Sequence, residues 1–231
     1  VIFLNRHDAG RQLADALRRF EGCDPVILAL PRGGVPVAFE VARALSAPLD
    51  LVLVRKIGTP LQPELAAGAV VDGDEMQLVR NEDVIRIAGV SEAWLRAEAT
   101  RELAEIERRR RLYLGDRTRA RITGRTAIVV DDGIATGATT RAALRAVRRR
   151  NPKQLVLAVP VAPAETLAEL REEVDEIVCL ATPEPFGAIG YFYRDFRQLE
   201  DDEVRDLLAR AERPSGSTPA AASPPRSPDQ A

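Results

Sequence analysis

The sequence predicts an α/β fold: a doubly wound, five-stranded parallel sheet with flanking helices and a small hood subdomain. Three observations predict the sheet. Short apolar runs of strand length recur at residues 25–31, 50–55, 126–132, 154–161 and 176–181. They are continuous rather than alternating, as expected of strands covered on both faces. Segments with helical spacing lie between most of them, and strands alternating with helices make a parallel sheet. The chain has 231 residues, 45% apolar and 29% charged, enough for one such domain and its core.

Taken in order, residues 8–20 place Ala9, Leu13, Ala16, Leu17 and Phe20 on one helical face, with Asp8 as the candidate N-cap. The run at 25–31 is the first strand, Arg32-Gly-Gly34 turns, and residues 35–45 are helical. The run at 50–55 is the second strand. Residues 58–90 read as short strands and turns, with Asp72-Gly-Asp-Glu75 as a hairpin-like tip. Residues 91–114 read as one long helix capped by Ser91. Its acids Glu92 and Glu98 come early and its arginines 108–111 late, an order that complements the helix dipole. The arginine run is therefore expected to serve the helix rather than an anion. Strands at 126–132, 154–161 and 176–181 follow, with helices at 137–150 and 164–174 between them. The last residues, 214–231, are rich in Pro, Ser and Ala and are expected to be disordered. The chain begins at Val1 without an initiator Met, as expected of a trimmed or partial sequence.

Composition excludes several classes. The net charge of −2 supplies no basic field for nucleic acid. No run of eighteen apolar residues suggests a membrane span. Cys23 and Cys179 form no CxxC or paired spacing, so both are expected to be reduced and the compartment cytoplasmic. The lone His7 has no Cys or His cluster around it and is expected to be solvated or capping. Lysine occurs only at Lys56 and Lys153, which singles out Lys56 beside Arg55.

The richest segment is Ile128-Val-Val-Asp-Asp-Gly-Ile-Ala-Thr-Gly-Ala-Thr-Thr-Arg141. A buried strand delivers Asp131 and Asp132 to its carboxyl end, and a loop of small and hydroxyl residues leads into a helix. Backbone N–H groups at a helix N-terminus are unpaired and suit a phosphate. The two carboxylates repel a phosphate but suit sugar hydroxyls or a hydrated Mg²⁺. A ribose 5-phosphate has that shape. Two more loops follow predicted strand ends: Leu30-Pro-Arg-Gly-Gly-Val-Pro36, and Val54-Arg-Lys-Ile-Gly-Thr-Pro60. Ligands of open α/β sheets sit outside the carboxyl ends of the strands, so all three loops are expected to face one crevice.

Val129-Val-Asp-Asp-Gly-Ile-Ala-Thr-Gly-Ala-Thr139 resembles the phosphoribosyl pyrophosphate (PRPP) motif of type I phosphoribosyltransferases. Leu30-Pro-Arg-Gly-Gly-Val-Pro-Val-Ala38 resembles their diphosphate loop, and the 54–60 segment is similar to one in adenine-type members. The likeness covers roughly residues 5–200. It implies a PRPP- and Mg²⁺-dependent transfer of ribose 5-phosphate to a nitrogenous base, with release of diphosphate. It implies that Asp131 and Asp132 bind the ribose hydroxyls and Mg²⁺ through water. Ala135, Thr136, Gly137, Ala138, Thr139 and Thr140 would hold the 5-phosphate. Arg32, Gly33 and Gly34 would hold the diphosphate, Arg55 and Lys56 would add charge there, and a non-proline cis peptide is expected near residues 31–33. The resemblance also implies one domain over 1–213, with a hood from the N-terminal residues and 182–200. A lid is expected within 58–123, and a homodimer on family grounds. Ala135 stands where 6-oxopurine-using members carry an acid, which argues against hypoxanthine or guanine. Phe186 is the expected base stacker, with Tyr193 or Asp195 reading the base edge. The alternative is a non-catalytic PRPP or nucleotide sensor on the same fold.

Overall fold

The computed structural model describes residues 2–63, 65–72 and 77–212. The first helix, α1 (Arg6–Ala16), starts earlier than expected. Asn5, not Asp8, is its cap: Asn5 Oδ1 accepts the Asp8 N–H at 2.9 Å, and Asp8 Oδ2 accepts the Leu4 N–H at 3.0 Å. Asp8 serves the third helical position of a reciprocal cap. Residues Arg18–Phe20 form a separate turn of tighter helix. Strand β1 (Pro25–Ala29) and helix α2 (Gly34–Ala44) follow as expected. His7 is neither solvated alone nor capping, because its Nδ1 lies 2.9 Å from Glu40 Oε1 on α2.

The expected strand at 50–55 is two strands in two sheets. Strand β2 (Leu49–Leu51) pairs in parallel with β1, and β3 (Val54–Ile57) begins an antiparallel sheet with β4 (Gly68–Val71) and β5 (Gln77–Arg80). The chain crosses between sheets at Val52 and Leu53. The Val52 N–H still donates to Ala29 O at 3.0 Å, while Leu53 O accepts the Asp72 N–H at 2.9 Å. Leu51, Val52 and Leu53 are apolar and buried in succession across the crossing, so no break shows in the pattern. The tip at 73–75 lies outside the described residues, as do 214–231. A short helix, α3 (Glu82–Ile87), capped by Asn81, was not anticipated in this region.

The long helix α4 (Glu92–Leu114) matches expectation, including its Ser91 cap. Next come β6 (Thr126–Val130), α5 (Ala138–Arg149), β7 (Gln154–Val161), α6 (Ala164–Leu170) and β8 (Glu176–Ala181). The helix expected over 164–174 ends early, and Arg171–Glu173 form a 3₁₀ turn. A last helix, α7 (Asp201–Glu212), escaped the sequence reading. Its signal was present: three acids at its start, then Val204, Leu207, Leu208 and Ala211 at helical spacing.

The five-stranded parallel sheet runs β2-β1-β6-β7-β8. Its side chains alternate between two cores, as the strand period requires. Ile27, Ala29, Ile128, Val130, Val156 and Ala158 pack with residues of α1, α2 and α7. Val26, Leu28, Ala127, Val129, Leu155 and Leu157 pack with residues of α5 and α6. The small sheet extends both layers. Ile57 and Val70 join the side that holds α4, and Ala69, Val71 and Val79 join the side that holds α5. The N-terminal residues lie beside 192–195: the Ile2 and Phe3 N–H groups donate to Phe192 O, and the Arg194 N–H donates to Phe3 O. Phe3, Ala9, Val161 and Tyr193 form a third small core there.

Candidate active site

The chain leaves β1 toward β2 on one side and returns through β6 on the other. The crevice of a doubly wound sheet opens at that reversal, at the carboxyl ends of the two strands. Those ends carry residues 30–34 and 131–140. The two loops touch. A Cβ on Gly33 would collide with the Asp132 carboxylate, and one on Gly34 would sit 2.7 Å from Val130 O and 3.0 Å from Asp131 Cα. Glycine is required there by close approach. The peptide between Pro31 and Arg32 is cis, within the expected stretch.

Asp131 and Asp132 sit side by side, and the Asp132 N–H donates to Asp131 Oδ1 at 2.9 Å. Burial pushes the Asp131 carboxyl well above the usual carboxylate range, and the neighbouring Asp132 charge adds to the shift. Burial also raises the Asp132 carboxyl, opposed by the guanidinium of Arg6. Arg6 Nε donates to Asp132 Oδ2 at 2.6 Å, and Arg6 Nη1 donates to Arg197 O at 2.9 Å. The same guanidinium stacks over the Phe196 ring, 3.9 Å from its centroid. Arg6 was missed by sequence reasoning, since it is 126 positions from its partner and belongs to no motif.

The phosphate-loop candidate is built as a helix start. Gly137 caps α5 with φ +72, a left-handed conformation that favours glycine. The Arg141 N–H donates to Gly137 O at 2.8 Å. The N–H groups of residues 138–140 precede that bond and have no partner four residues back within the helix. Ala135, Thr136 and Ala138 are exposed, while Thr139 is half-buried and Thr140 buried. Thr166 Oγ1 pins the loop by donating to Ala135 O at 2.8 Å.

The cationic candidates are spread more widely than expected. Arg55 and Lys56 do not follow a parallel strand but lie on β3 of the small sheet, where neighbours point to opposite faces. Arg55 faces α4, and its Nε donates to Glu102 Oε2 at 2.6 Å. Lys56 is exposed on the opposite face, the one shared with Val54, and has no ion-pair partner among the described residues. Arg32 Nη1 is 3.6 Å from Asp201 Oδ1 of α7. Tyr113 of α4 donates to the same Asp201 oxygen at 2.6 Å. Burial first, then that bond, pushes the Tyr113 hydroxyl up to about 12. A cavity of about 70 Å³ beside the crevice is lined by Pro31, Arg55, Ile106, Arg109, Asp131 and Thr139, among others. It joins the 31–34 loop, the Asp-Asp loop, β3 and α4. The arginines of residues 108–111 therefore do not all serve the helix end. Arg108 and Arg111 are exposed, Arg109 lines the cavity, and Arg110 is buried against Asp72 at 2.8 Å.

The aromatic segment packs on itself. Phe186 is half-buried, its ring 5.1 Å from that of Phe192. The Tyr193 hydroxyl donates to Asp132 O at 2.5 Å, and its ring stacks on Phe196 at 5.0 Å. That hydroxyl spends its proton on the backbone of the Asp-Asp loop and keeps only its acceptor lone pairs for any other group. Asp195 is exposed and accepts the Arg197 N–H at 3.2 Å. Among the described residues, no group of three or more His, Cys, Asp or Glu is placed to hold a metal. No helix among them is long and apolar enough to cross a membrane.

Residues 5–195 match the phosphoribosyl transferase domain family. Two Mycobacterium tuberculosis proteins, provisionally named phosphoribosyl transferases, are 48% identical over 227 residues, which is 97% of this chain and 51% of each relative. The chain thus spans about half the length of those relatives. The crystal structure of TT1426 from Thermus thermophilus superposes with a TM-score of 0.77 at 42% identity, covering 91% of this chain and 99% of that one.

Proposed function

Because the chain belongs to the phosphoribosyl transferase family, we propose that it transfers ribose 5-phosphate from PRPP to a nitrogenous base and releases diphosphate. The observation that carries this reading is the direct packing of Gly33 and Gly34 on Asp131 and Asp132 at the sheet's switch point. A diol or metal site and an anion loop then lie side by side, as PRPP requires.

In this reading Asp131 and Asp132 bind the ribose hydroxyls. The amides and hydroxyls of residues 135–140 bind the 5-phosphate, with the α5 dipole aiding. Arg32 and the Gly33 and Gly34 amides hold the diphosphate. Arg55 adds charge from its cavity, and Lys56 adds charge only at longer range from its exposed face. Displacing diphosphate leaves an oxocarbenium-like ribose, as in glycoside cleavage. Fixed positive charge on the leaving group is then the main electrostatic contribution, and holding base and sugar in line contributes through proximity. Two adjacent carboxylates, both raised by burial and Asp131 further by its neighbour's charge, fit a divalent cation. Mg²⁺ binds through one or two carboxylates plus substrate phosphates rather than in an all-protein cage, and here Asp131 and Asp132 would hold it, through water, to neutralise diphosphate charge.

The domain reading extends over 1–213, with the cluster of Phe3, Tyr193 and their neighbours as the hood. Phe186 stacks the base, and Ala135 argues against a 6-oxopurine. The test is diphosphate release from PRPP with Mg²⁺ across a panel of purine and pyrimidine bases. Base-dependent release supports the transferase. Tight PRPP binding without release under any base favours the sensor, and base-independent release of phosphate favours a hydrolase.

A further inference from the structure

Helix α4 is a 23-residue insertion between the second and third parallel strands. Its Glu102, Ile106, Arg109 and Tyr113 stand at i, i+4, i+7 and i+11, one stripe of a helix. Each has a partner at the site. Glu102 binds Arg55, Ile106 and Arg109 line the cavity shared with Pro31 and Asp131, and Tyr113 binds the Asp201 that faces Arg32. A stripe that packed only for stability would be apolar throughout. This one is polar at three of the four positions named, and its polar groups meet Arg55, Asp201 and the cavity beside Pro31.

We propose that Arg109 is a further diphosphate-binding residue, and that α4 forms a fixed roof of that subsite. This rests on the transferase reading above. Besides Arg32 within the 31–34 loop, two guanidiniums from other elements, Arg55 of β3 and Arg109 of α4, line the cavity they share with Pro31 of that loop. Each holds an internal carboxylate: Asp201 at 3.6 Å, Glu102 at 2.6 Å and Glu105 at 2.7 Å, respectively. These arginine side chains are about a third exposed, so the resident acids chiefly offset the mutual repulsion of clustered cations before ligand arrives. A diphosphate held by Arg55 and Arg109 competes with Glu102 and Glu105 for them, an exchange of one anion for a more highly charged one. Arg109 suits that exchange, because its partner Glu105 is also held by Arg108 at 2.8 Å and keeps a cation after Arg109 leaves. Those two arginines together hold the Glu105 carboxyl down at about 2, so it stays charged throughout.

The probe is inorganic diphosphate with Mg²⁺, titrated calorimetrically into the full chain. Arg109→Gln should weaken binding by at least about tenfold, the loss of roughly one charge-assisted hydrogen bond. Arg109→Lys should recover part of it. Arg108→Gln removes an equal charge from the exposed side of the same Glu105 and should stay within about twofold of wild type. Glu105→Gln frees Arg109 and should tighten binding, an effect that a purely structural ion pair does not produce. Thermal melts of each variant check folding. Wild-type affinity in Arg109→Gln overturns the proposal, and so does an equal loss in Arg108→Gln or weaker binding in a folded Glu105→Gln. A wild-type chain that binds neither diphosphate nor PRPP overturns the transferase reading itself, and Arg109 with it.

Discussion

The Asp-Asp loop at the end of β6 and the roof formed by α4 and α7 contribute opposite halves of the same crevice, and they were written into the chain differently. The loop is local. Its carboxylates, its glycine cap and its free amides come from consecutive residues 131–140, and their geometry follows from one strand-to-helix turn. The roof is assembled at a distance. Arg32 meets Asp201 of α7 and Arg55 meets Glu102 of α4, each across tens of residues, and the loop's own Asp132 is likewise held from a distance, by Arg6 of α1. The loop offers groups to a ligand, whereas the distant elements supply opposite charges that hold those groups in place without one. In the proposed reading, such a site is largely neutralised before binding, and its ligand competes with the protein's own side chains.

Removing a distant partner should therefore cost more stability than altering the loop's own acid. Arg6→Ala leaves the buried Asp132 carboxylate without its cation. It should lower stability by about 3 kcal/mol, read from chemical denaturation at neutral pH; a change under about 1 kcal/mol would show that the pair is dispensable. Gly33→Ala pushes a methyl group into that carboxylate and should cost about 2 kcal/mol while weakening PRPP binding, which a melt and a titration can separate. Asp131→Asn should do the reverse. The folded protein holds the Asp131 proton more tightly than the unfolded chain does, so the charged form costs stability above the raised value. Removing the charge should stabilise the ligand-free chain by about 1 kcal/mol at neutral pH. The gain should fade in acid, where both states are protonated, and an equal gain at all pH values would argue against repulsion as its cause. At the bottom of the scale, Asp83→Ala breaks an exposed pair with Arg86 on α3 and should change stability by less than about 0.5 kcal/mol.

The same division explains what the sequence could reveal. Four of the five parallel strands were legible because strands buried on both faces are continuous apolar runs bounded by turns, as in Val26 to Ala29 and Ala127 to Val130. The long helix was legible from Ser91 and its charge order. The change of sheet at Val52 and Leu53 was not, because burial is continuous across it and only hydrogen-bond partners change. That one crossing also misplaced Arg55 and Lys56, since strand alternation sends them to opposite faces. Helix α7 was passed over although its acids and apolar spacing mark it. Arg6, Arg109 and Tyr193 carry no linear signal for their site contacts. Each matters through a neighbour that only the folded chain supplies, such as the Asp132 carbonyl that accepts from Tyr193.

The most direct measurement is the affinity of Mg²⁺-PRPP for the wild-type chain and for the paired variant Asp131→Asn with Asp132→Asn, by calorimetric titration in one buffer. The account predicts saturable one-site binding to the wild type and a loss of at least about a hundredfold in the folded variant, more than about 2.7 kcal/mol. Equal affinity in the two proteins would contradict it.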